Sequence, residues 1–157
     1  MTERTCDECY RCCVAFGIPE LNKYQDQTCR HLDGRNPTAR CSIYGDRPAC
    51  CKSYQCLWRE GFFNDEDRPD KSGVIAHFSP LDSGRIELDL TIDDRDKAVA
   101  ATINRIHEWV ADKPFHQIMY RRIGSDVAMI QTRDGEIASY SYVADVETGI
   151  RFIARLS

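Results

Sequence analysis

The chain has 157 residues and a formal net charge of −4, with 42% hydrophobic and 29% charged residues. This composition is ordinary for a globular protein, and no apolar run approaches the ~20 residues that a membrane-spanning helix needs. Residues 1–60 carry 9 Lys and Arg against 8 Asp and Glu, and residues 61–157 carry 12 against 17. Neither half is basic enough for a nucleic-acid binder, so we expect no nucleic-acid partner and no membrane.

The N-terminal residues, Met1 to Glu8, are polar and lack the apolar core of a secretory signal. We therefore expect a cytoplasmic location, where thiols are kept reduced. In that compartment, nine cysteines favour metal ligands over structural disulfides.

All nine cysteines lie in the first 56 residues. The spacing of Cys6, Cys9 and Cys13 places them on one face of a helix, which predicts a short helix over residues 6–17. Residues 21–54 are rich in Asn, Asp, Gly, Pro and Arg and show little apolar periodicity. Such a segment makes a poor core by itself, which is the situation in which small folds use metal or disulfide cross-links. We therefore expect a small irregular or helical cysteine-rich module over residues 1–60, held together by metal.

An acidic, proline-containing stretch follows the cysteine-rich segment. We place a linker at residues 61–71 and interpret the charge run 64–71 as a solvated loop. The remaining residues, 72–157, form the second predicted domain.

This second domain has regular periodicity. Alternating apolar residues predict strands over 74–78 and 86–90. An apolar stripe at helical spacing predicts a helix over roughly 93–112, capped by Thr91 or Asp93. Further strands are predicted over 116–123, 127–132, 136–143 and 150–156. The predicted fold class is therefore α+β, with an antiparallel sheet covered by one helix.

The chemistry of the cysteines points to metal. Zinc binds four soft or borderline ligands in a tetrahedron, and iron–sulfur clusters also use four cysteines. Cys-x-x-Cys steps overlap at Cys6, Cys9 and Cys12, and Cys13 follows at once. Adjacent side chains diverge, so Cys12 and Cys13 are expected to serve different sites or to bridge two metals. Redox-active thiols and buried, inert cysteines are the alternatives.

The ordered motif, with Arg47-Pro48 and Tyr54 between its last cysteines, resembles the CxxCxxCC zinc- or iron-chelating (YkgJ-like) family. The resemblance spans residues 6–56. It implies that eight cysteines bind metal: Cys6, Cys9, Cys12, Cys13, Cys29, Cys41, Cys51 and Cys56. Cys50 falls at a variable position of the pattern. A related motif occurs in flagellin lysine methylases, where an iron–sulfur cluster is implied.

We therefore interpret the chain as a metal-chelating protein in which Zn²⁺ occupies two four-cysteine sites, with iron or an iron–sulfur cluster as the alternative cofactor. It would act as a structural or binding module, with a protein partner as well as the metal ion. An iron–sulfur-dependent enzyme, for example a protein-modifying one, and a metal-trafficking factor are the competing functions. The sequence identifies no catalytic residues. It leaves open whether His31 or Cys50 is a ligand, and His77, His107 and His116 are predicted to be surface or core residues.

Overall fold

The computed structural model describes residues 3–6, 9–33, 40–95, 98–145 and 149–156. Its helices are α1 (Arg11–Ala15), α2 (Ala49–Ser53), α3 (Pro69–Ser72) and α4 (Val99–Val110). Its strands are β1 (Val74–Pro80), β2 (Ile86–Ile92), β3 (Gln117–Arg122), β4 (Val127–Thr132), β5 (Ile137–Asp145) and β6 (Gly149–Leu156). The fold is α+β, as predicted. None of the helices in the described ranges is both long enough and apolar enough to cross a membrane.

The six strands form one sheet in the order of the chain, β1 to β6. All neighbours pair antiparallel except β2 and β3, which run parallel from Glu87↔Gln117 to Ile92↔Arg122. The prediction of a wholly antiparallel sheet is therefore wrong at this pair. The reason is α4, which carries the chain back along the sheet after β2 so that β3 starts at the same end.

Helix α4 begins at Val99, later than the predicted start near residue 93. Neither Thr91 nor Asp93 caps it, because the N-cap residue is Ala98 and Thr91 lies within β2. The Asp93 backbone N–H donates to the Gly73 carbonyl oxygen at 2.8 Å. The Asp93 carboxylate instead accepts hydrogen bonds from Arg11 and Arg95. Residues 96 and 97 of the predicted helix lie outside the described residues.

One face of the sheet holds the apolar core. Leu88, Leu90 and Ile118 pack there against α4, which contributes Ile106 and Val110. The cysteine-rich segment also reaches this core through Leu57, which is only 2% exposed. The Leu57 backbone N–H donates to the Ala76 carbonyl oxygen at 2.8 Å, so the chain is fixed to β1 one residue after Cys56.

The opposite face is polar and faces the cysteine-rich segment. Arg121 of β3 is 1% exposed, and its guanidinium donates to the two carboxylate oxygens of Asp26 at 2.7 and 2.8 Å. It also reaches the Ala15 carbonyl oxygen at 3.3 Å. This buried ion pair attaches the cysteine-rich segment to the sheet.

The charge run 64–71 is more ordered than the predicted solvated loop. Residues 65–67 form a 3₁₀ turn, and α3 follows. Asp67 is 3% exposed and accepts hydrogen bonds from Thr102 Oγ1 and Arg105 Nε, both at 2.9 Å. The solvated-loop prediction is wrong at Asp67 because its charge is compensated by an arginine of α4.

Candidate metal centre

All nine cysteines line one cavity of about 300 Å³. All nine are free thiols. The cavity lies between the cysteine-rich segment and β1, which contributes Ile75 and His77 to its wall. Each of the eight predicted ligands is therefore a lining residue, and so are Cys50 and His31.

Helix α1 is shorter than the predicted helix over 6–17. Cys6 and Cys9 precede it in a turn, closed by the Cys9 N–H donating to the Cys6 carbonyl oxygen at 2.6 Å. The prediction that they lie on a helix is wrong. The turn brings the two residues together without helical backbone, and residues 7 and 8 lie outside the described residues.

A clamp by Arg4 brings the start of the chain to the last cysteine. The Arg4 guanidinium donates to the carbonyl oxygens of Trp58 at 2.7 Å, Phe62 at 2.7 Å and Phe63 at 2.9 Å. It also stacks over the Trp58 ring, 4.8 Å from its centroid. Because Arg4 lies two residues before Cys6 and Trp58 lies two residues after Cys56, these contacts bring the two ends of the motif together.

What we call the first thiol set consists of Cys6, Cys9, Cys12 and Cys56. The Arg4 clamp brings Cys6 toward Cys56, a backbone hydrogen bond joins Cys6 to Cys9, and the charges of Cys6 and Cys9 raise the pKa of Cys12. Their electrostatic coupling agrees with the backbone contacts. Desolvation raises the pKa of Cys9 to about 12, with a smaller contribution from the charge of Cys56. Desolvation also raises the pKa of Cys56, and Cys6 adds to that shift.

Four others form what we call the second thiol set: Cys13, Cys29, Cys41 and Cys51. The Cys29 N–H donates to the Cys13 carbonyl oxygen at 2.9 Å, and Cys41 pairs with Leu32 in an isolated β-bridge. Desolvation raises the pKa of Cys41 and of Cys51, and in both cases Cys13 and Cys29 are the neighbouring thiols that raise it further.

The two sets meet at the adjacent residues Cys12 and Cys13. The Cys12 S–H donates to the Cys13 sulfur, which raises the pKa of Cys12 well above its ordinary value and lowers that of Cys13 to about 7. The positive charges of Lys23 and Arg47 lower the Cys13 pKa further. The second thiol set therefore has two cations beside it, and one of its members ionises near neutral pH.

Cys50 belongs to neither set. Its S–H donates to Glu20 Oε2 at 3.2 Å. Desolvation and the hydrogen bond to Glu20 raise the pKa of Cys50 to about 12. The ninth thiol is thus held in its protonated form at the edge of the second thiol set.

A chain of hydrogen bonds connects the cavity wall to the sheet. The Tyr54 hydroxyl lies 3.3 Å from His77 Nδ1, and His77 Nε2 lies 3.1 Å from Asp89 Oδ2. The rings of Phe16, Tyr54 and His77 pack edge to face. Sequence reasoning missed His77 as a cavity residue. The available signal was strand alternation, which puts His77 on the same face of the sheet as Asp89.

Glu87 continues this buried polar group. It is hydrogen bonded to Asp89 and accepts from Gln117, and desolvation is the main cause that raises its pKa to about 8. His107 and His116 lie elsewhere, as predicted. His107 pairs with the Tyr120 hydroxyl at 2.7 Å, and His116 Nδ1 accepts from the Ile86 N–H at 3.0 Å.

Within the described residues, no group of three or more Cys, His, Asp or Glu side chains is already arranged to hold a metal ion. The thiols are neighbours around one space rather than a closed ligand sphere. A scan against protein-family models finds no match, and searches of curated proteins and of solved structures find no similar chain.

The surroundings of the cavity act on the ionisation of the thiols in two opposite directions. Its apolar wall includes Phe16, Ile18 and Ile75, which limit access of water. Arg47 supplies a positive charge to the cavity wall. Its Nε donates to the Tyr44 carbonyl oxygen at 2.8 Å, and its guanidinium stacks on the Tyr44 ring. The apolar wall therefore raises the pKa of buried thiols such as Cys9 and Cys56, whereas the positive charge of Arg47 lowers the pKa of Cys13.

Proposed function

We propose that this protein is a metal-chelating module that binds two thiophilic ions, zinc foremost, one in each thiol set. The observation that carries the proposal is the arrangement of all eight thiols around a single cavity, where backbone hydrogen bonds join Cys9 to Cys6 in one set and Cys29 to Cys13 in the other. Four thiolates complete the tetrahedral sphere of a structural zinc ion.

The division supports the proposal in a second way. Cys12 and Cys13 are adjacent and interact with each other, but their other thiol neighbours differ. The charges of Cys6 and Cys9 raise the pKa of Cys12, whereas the charge of Cys13 raises the pKa of Cys41 and of Cys51. Two tetrahedral sites can each take one of these cysteines, whereas a single site would have to accommodate two adjacent cysteines.

The donor chemistry fits zinc, and a closed sphere requires the sulfur atoms to move. Zinc–sulfur bonds of about 2.3 Å put the four sulfur atoms about 3.8 Å apart. Rotation of the cysteine side chains between staggered rotamers shifts each sulfur atom around a fixed backbone. The backbone contacts of Cys6 with Cys9 and of Cys13 with Cys29 would persist during such closure.

Bound metal would act as the cross-link that the cysteine-rich segment lacks. Its own buried side chains are few, and structural zinc contributes roughly 10–16 kcal/mol in small zinc domains, as much as a whole fold's stability. Thiolate ligands also require a reducing compartment, in keeping with the cytoplasmic location expected from the sequence.

The test is elemental analysis of protein purified without oxygen and without added metal, combined with its absorption spectrum. The proposal expects a colourless protein with about two zinc ions per chain, four cysteines to each. A brown protein absorbing near ~400 nm would replace zinc by an iron–sulfur cluster. Protein that stays metal-free after reduction and exposure to zinc would overturn the proposal altogether.

A further inference from the structure

Helices α1 and α2 share a pattern of residues and of capping. Each has five residues, with two adjacent cysteines at its second and third positions, Cys12-Cys13 in α1 and Cys50-Cys51 in α2. An aromatic residue is the C-cap of each helix. The Phe16 N–H donates to the Cys12 carbonyl oxygen, and the Tyr54 N–H donates to the Cys50 carbonyl oxygen, both at 3.1 Å. The two helices therefore carry equivalent Cys-Cys pairs, each followed at the same spacing by a ring.

The two capping rings meet at His77 of β1. The ring centroids of Phe16 and Tyr54 are 5.1 Å apart. Each ring also packs edge to face on the imidazole, with a centroid distance of 5.6 Å and an interplanar angle of 86° for Phe16, and of 5.4 Å and 80° for Tyr54. His77 thus stands in nearly the same relation to both helices. This ring cluster joins α1, α2 and β1 at one part of the cavity wall.

The orientation of the His77 ring is fixed from two sides. Its Nδ1 lies 3.3 Å from the Tyr54 hydroxyl, and its Nε2 lies 3.1 Å from Asp89 Oδ2. Asp89 is 7% exposed and is the direct partner of His77 in the pairing of β1 with β2. The sheet therefore holds the imidazole, and the rings that pack on it are placed relative to the sheet.

Each thiol set has members on both sides of this junction. In the first thiol set, Cys12 is on α1, whereas Cys56 follows Tyr54 by two residues. In the second thiol set, Cys13 is on α1 and Cys51 is on α2. A metal ion in either set must therefore bring together α1 and the segment that contains α2. The second ion then finds this arrangement already made.

We infer that His77 is a positioning residue of the metal centre, whose ring holds the capped ends of α1 and α2 together and so raises the fraction of metal-free chains in which the thiol sets are assembled. This inference rests on the proposed function. The apparent dissociation constant of the first ion is the intrinsic constant divided by that fraction. Loss of the His77 contacts lowers the fraction, so it weakens binding of the first ion and leaves the second almost unchanged.

The test is titration of the reduced, metal-free chain with zinc in competition with a chromophoric chelator, which gives the two stepwise constants. H77A should bind the first zinc ion about tenfold more weakly than the wild type, the scale of one or two lost hydrogen bonds. It should bind the second ion as the wild type does, so that zinc binding becomes more cooperative. The matched control is H107A, because His107 also packs edge to face on a tyrosine, Tyr120, but on the opposite face of the sheet. H107A should bind both ions as the wild type does.

Cobalt loading separates positioning from ligation, since the absorption of Co²⁺ depends on its ligands. Cobalt-loaded H77A should hold two ions with the spectrum of the wild type. A changed spectrum or the loss of one ion would make His77 a ligand and overturn its positioning role. Zinc constants of H77A equal to those of H107A would also overturn the inference, and both results leave the proposed function standing.

Failure of the wild-type chain to bind zinc would instead overturn the proposed function. Circular dichroism of H77A shows whether the sheet is intact. If it is not, Y54F decides, because it removes only the hydroxyl that contacts His77. Y54F should bind the first ion about threefold more weakly, the scale of one hydrogen bond, and wild-type affinity in Y54F would overturn the inference.

Discussion

The backbone N–H of Cys29 donates to the carbonyl oxygen of Cys13 at 2.9 Å. The two residues are sixteen positions apart in the sequence, yet this contact fixes them as neighbours before any metal is considered. This contact joins Cys13 to Cys29 in the second thiol set, although Cys13 also interacts with Cys12, the residue beside it in the chain. Backbone contacts of this kind join Cys13 to Cys29 and Cys9 to Cys6, and the proposed sets built on them are testable one cysteine at a time.

The first prediction concerns metal stoichiometry. C41S removes one member of the second thiol set, and we expect its zinc content to fall from about two ions to about one, because four thiolates define each site. C50S is the matched control and should retain about two ions, since Cys50 belongs to neither set. Elemental analysis of both proteins gives the answer, and an equal loss in the two variants would contradict the division into sets.

The second prediction concerns metal removal. A strong chelator should unfold residues 6–56 while the sheet of β1–β6 persists, because the sheet has its own core against α4 and the cysteine-rich segment does not. Limited proteolysis mapped by mass spectrometry should place the new cleavages in that segment. Returning zinc should restore resistance, and continued resistance after complete metal removal would contradict a cross-linking role.

The third prediction concerns the Arg4 clamp. R4A removes three hydrogen bonds to carbonyl oxygens and the stacking on Trp58, and should lower the free energy of unfolding by about 2 kcal/mol. Chemical denaturation of the zinc-loaded protein measures this. The control is R30A, at an exposed arginine of the same segment, for which we expect little change. Equal stability of R4A and R30A would show that the clamp does not hold the first thiol set.

The fourth prediction concerns Asp67 and its partner Arg105. D67N replaces a buried carboxylate by an amide, which is a poorer acceptor for Arg105. We expect the free energy of unfolding to fall by about 2–3 kcal/mol. This is less than the usual cost of breaking a buried ion pair, because Arg105 is partly exposed. The control D65N alters an exposed carboxylate of the same turn and should change stability little.

The contribution of Asp67 to stability depends on pH in a direction that follows from its pKa. Although desolvation opposes it, hydrogen bonding to Arg105 is the main cause that lowers the pKa of Asp67. The stabilisation is then present above the ordinary value of 3.8 and is lost as the pH falls through the lower folded pKa. Thermal unfolding in acid should show this loss in the wild type and not in D67N.

The fifth prediction concerns Glu87, whose pKa is raised from 4.5 to about 8, with desolvation as the largest cause. Between those values the folded chain holds a proton that the unfolded chain has released, so stability falls as the pH rises and levels off above about pH 8. E87Q mimics the protonated form, so this part of the fall in the free energy of unfolding with rising pH should be absent in E87Q. The difference between wild type and E87Q in denaturant titrations across that range isolates Glu87 from the thiols, with exposed E136Q as the control.

Sequence reasoning predicted the strands well because their alternation reflects burial on one face. β4 was predicted at its observed bounds, and the tail predicted as a strand over 150–156 is β6. It missed the parallel pairing of β2 and β3, although a strand–helix–strand order is typical of parallel neighbours. It also placed the start of α4 too early, because the ion pair that holds Asp93 joins it to Arg11, 82 positions away in the chain.

At the candidate metal centre, the cysteines were visible from composition and spacing, but their grouping was not. The grouping depends on contacts such as Arg4 with Trp58, which join residues 54 positions apart. His77 was missed for the same reason, since its role as a wall residue depends on where the cysteine-rich segment lies on the sheet. Local pattern identifies the donor atoms, and tertiary contacts decide which of them are neighbours.

The position of β1 has a consequence for synthesis of the protein. Ile75 and His77 complete the cavity wall, and both leave the ribosome after the ninth cysteine has done so. The nascent chain therefore presents its thiols to the surrounding metal pool while one side of their enclosure is still missing. On the proposed function, capture of an ion before β1 arrives would bias the growing polypeptide toward its final shape, and the metal supply during translation would then affect the yield of folded protein.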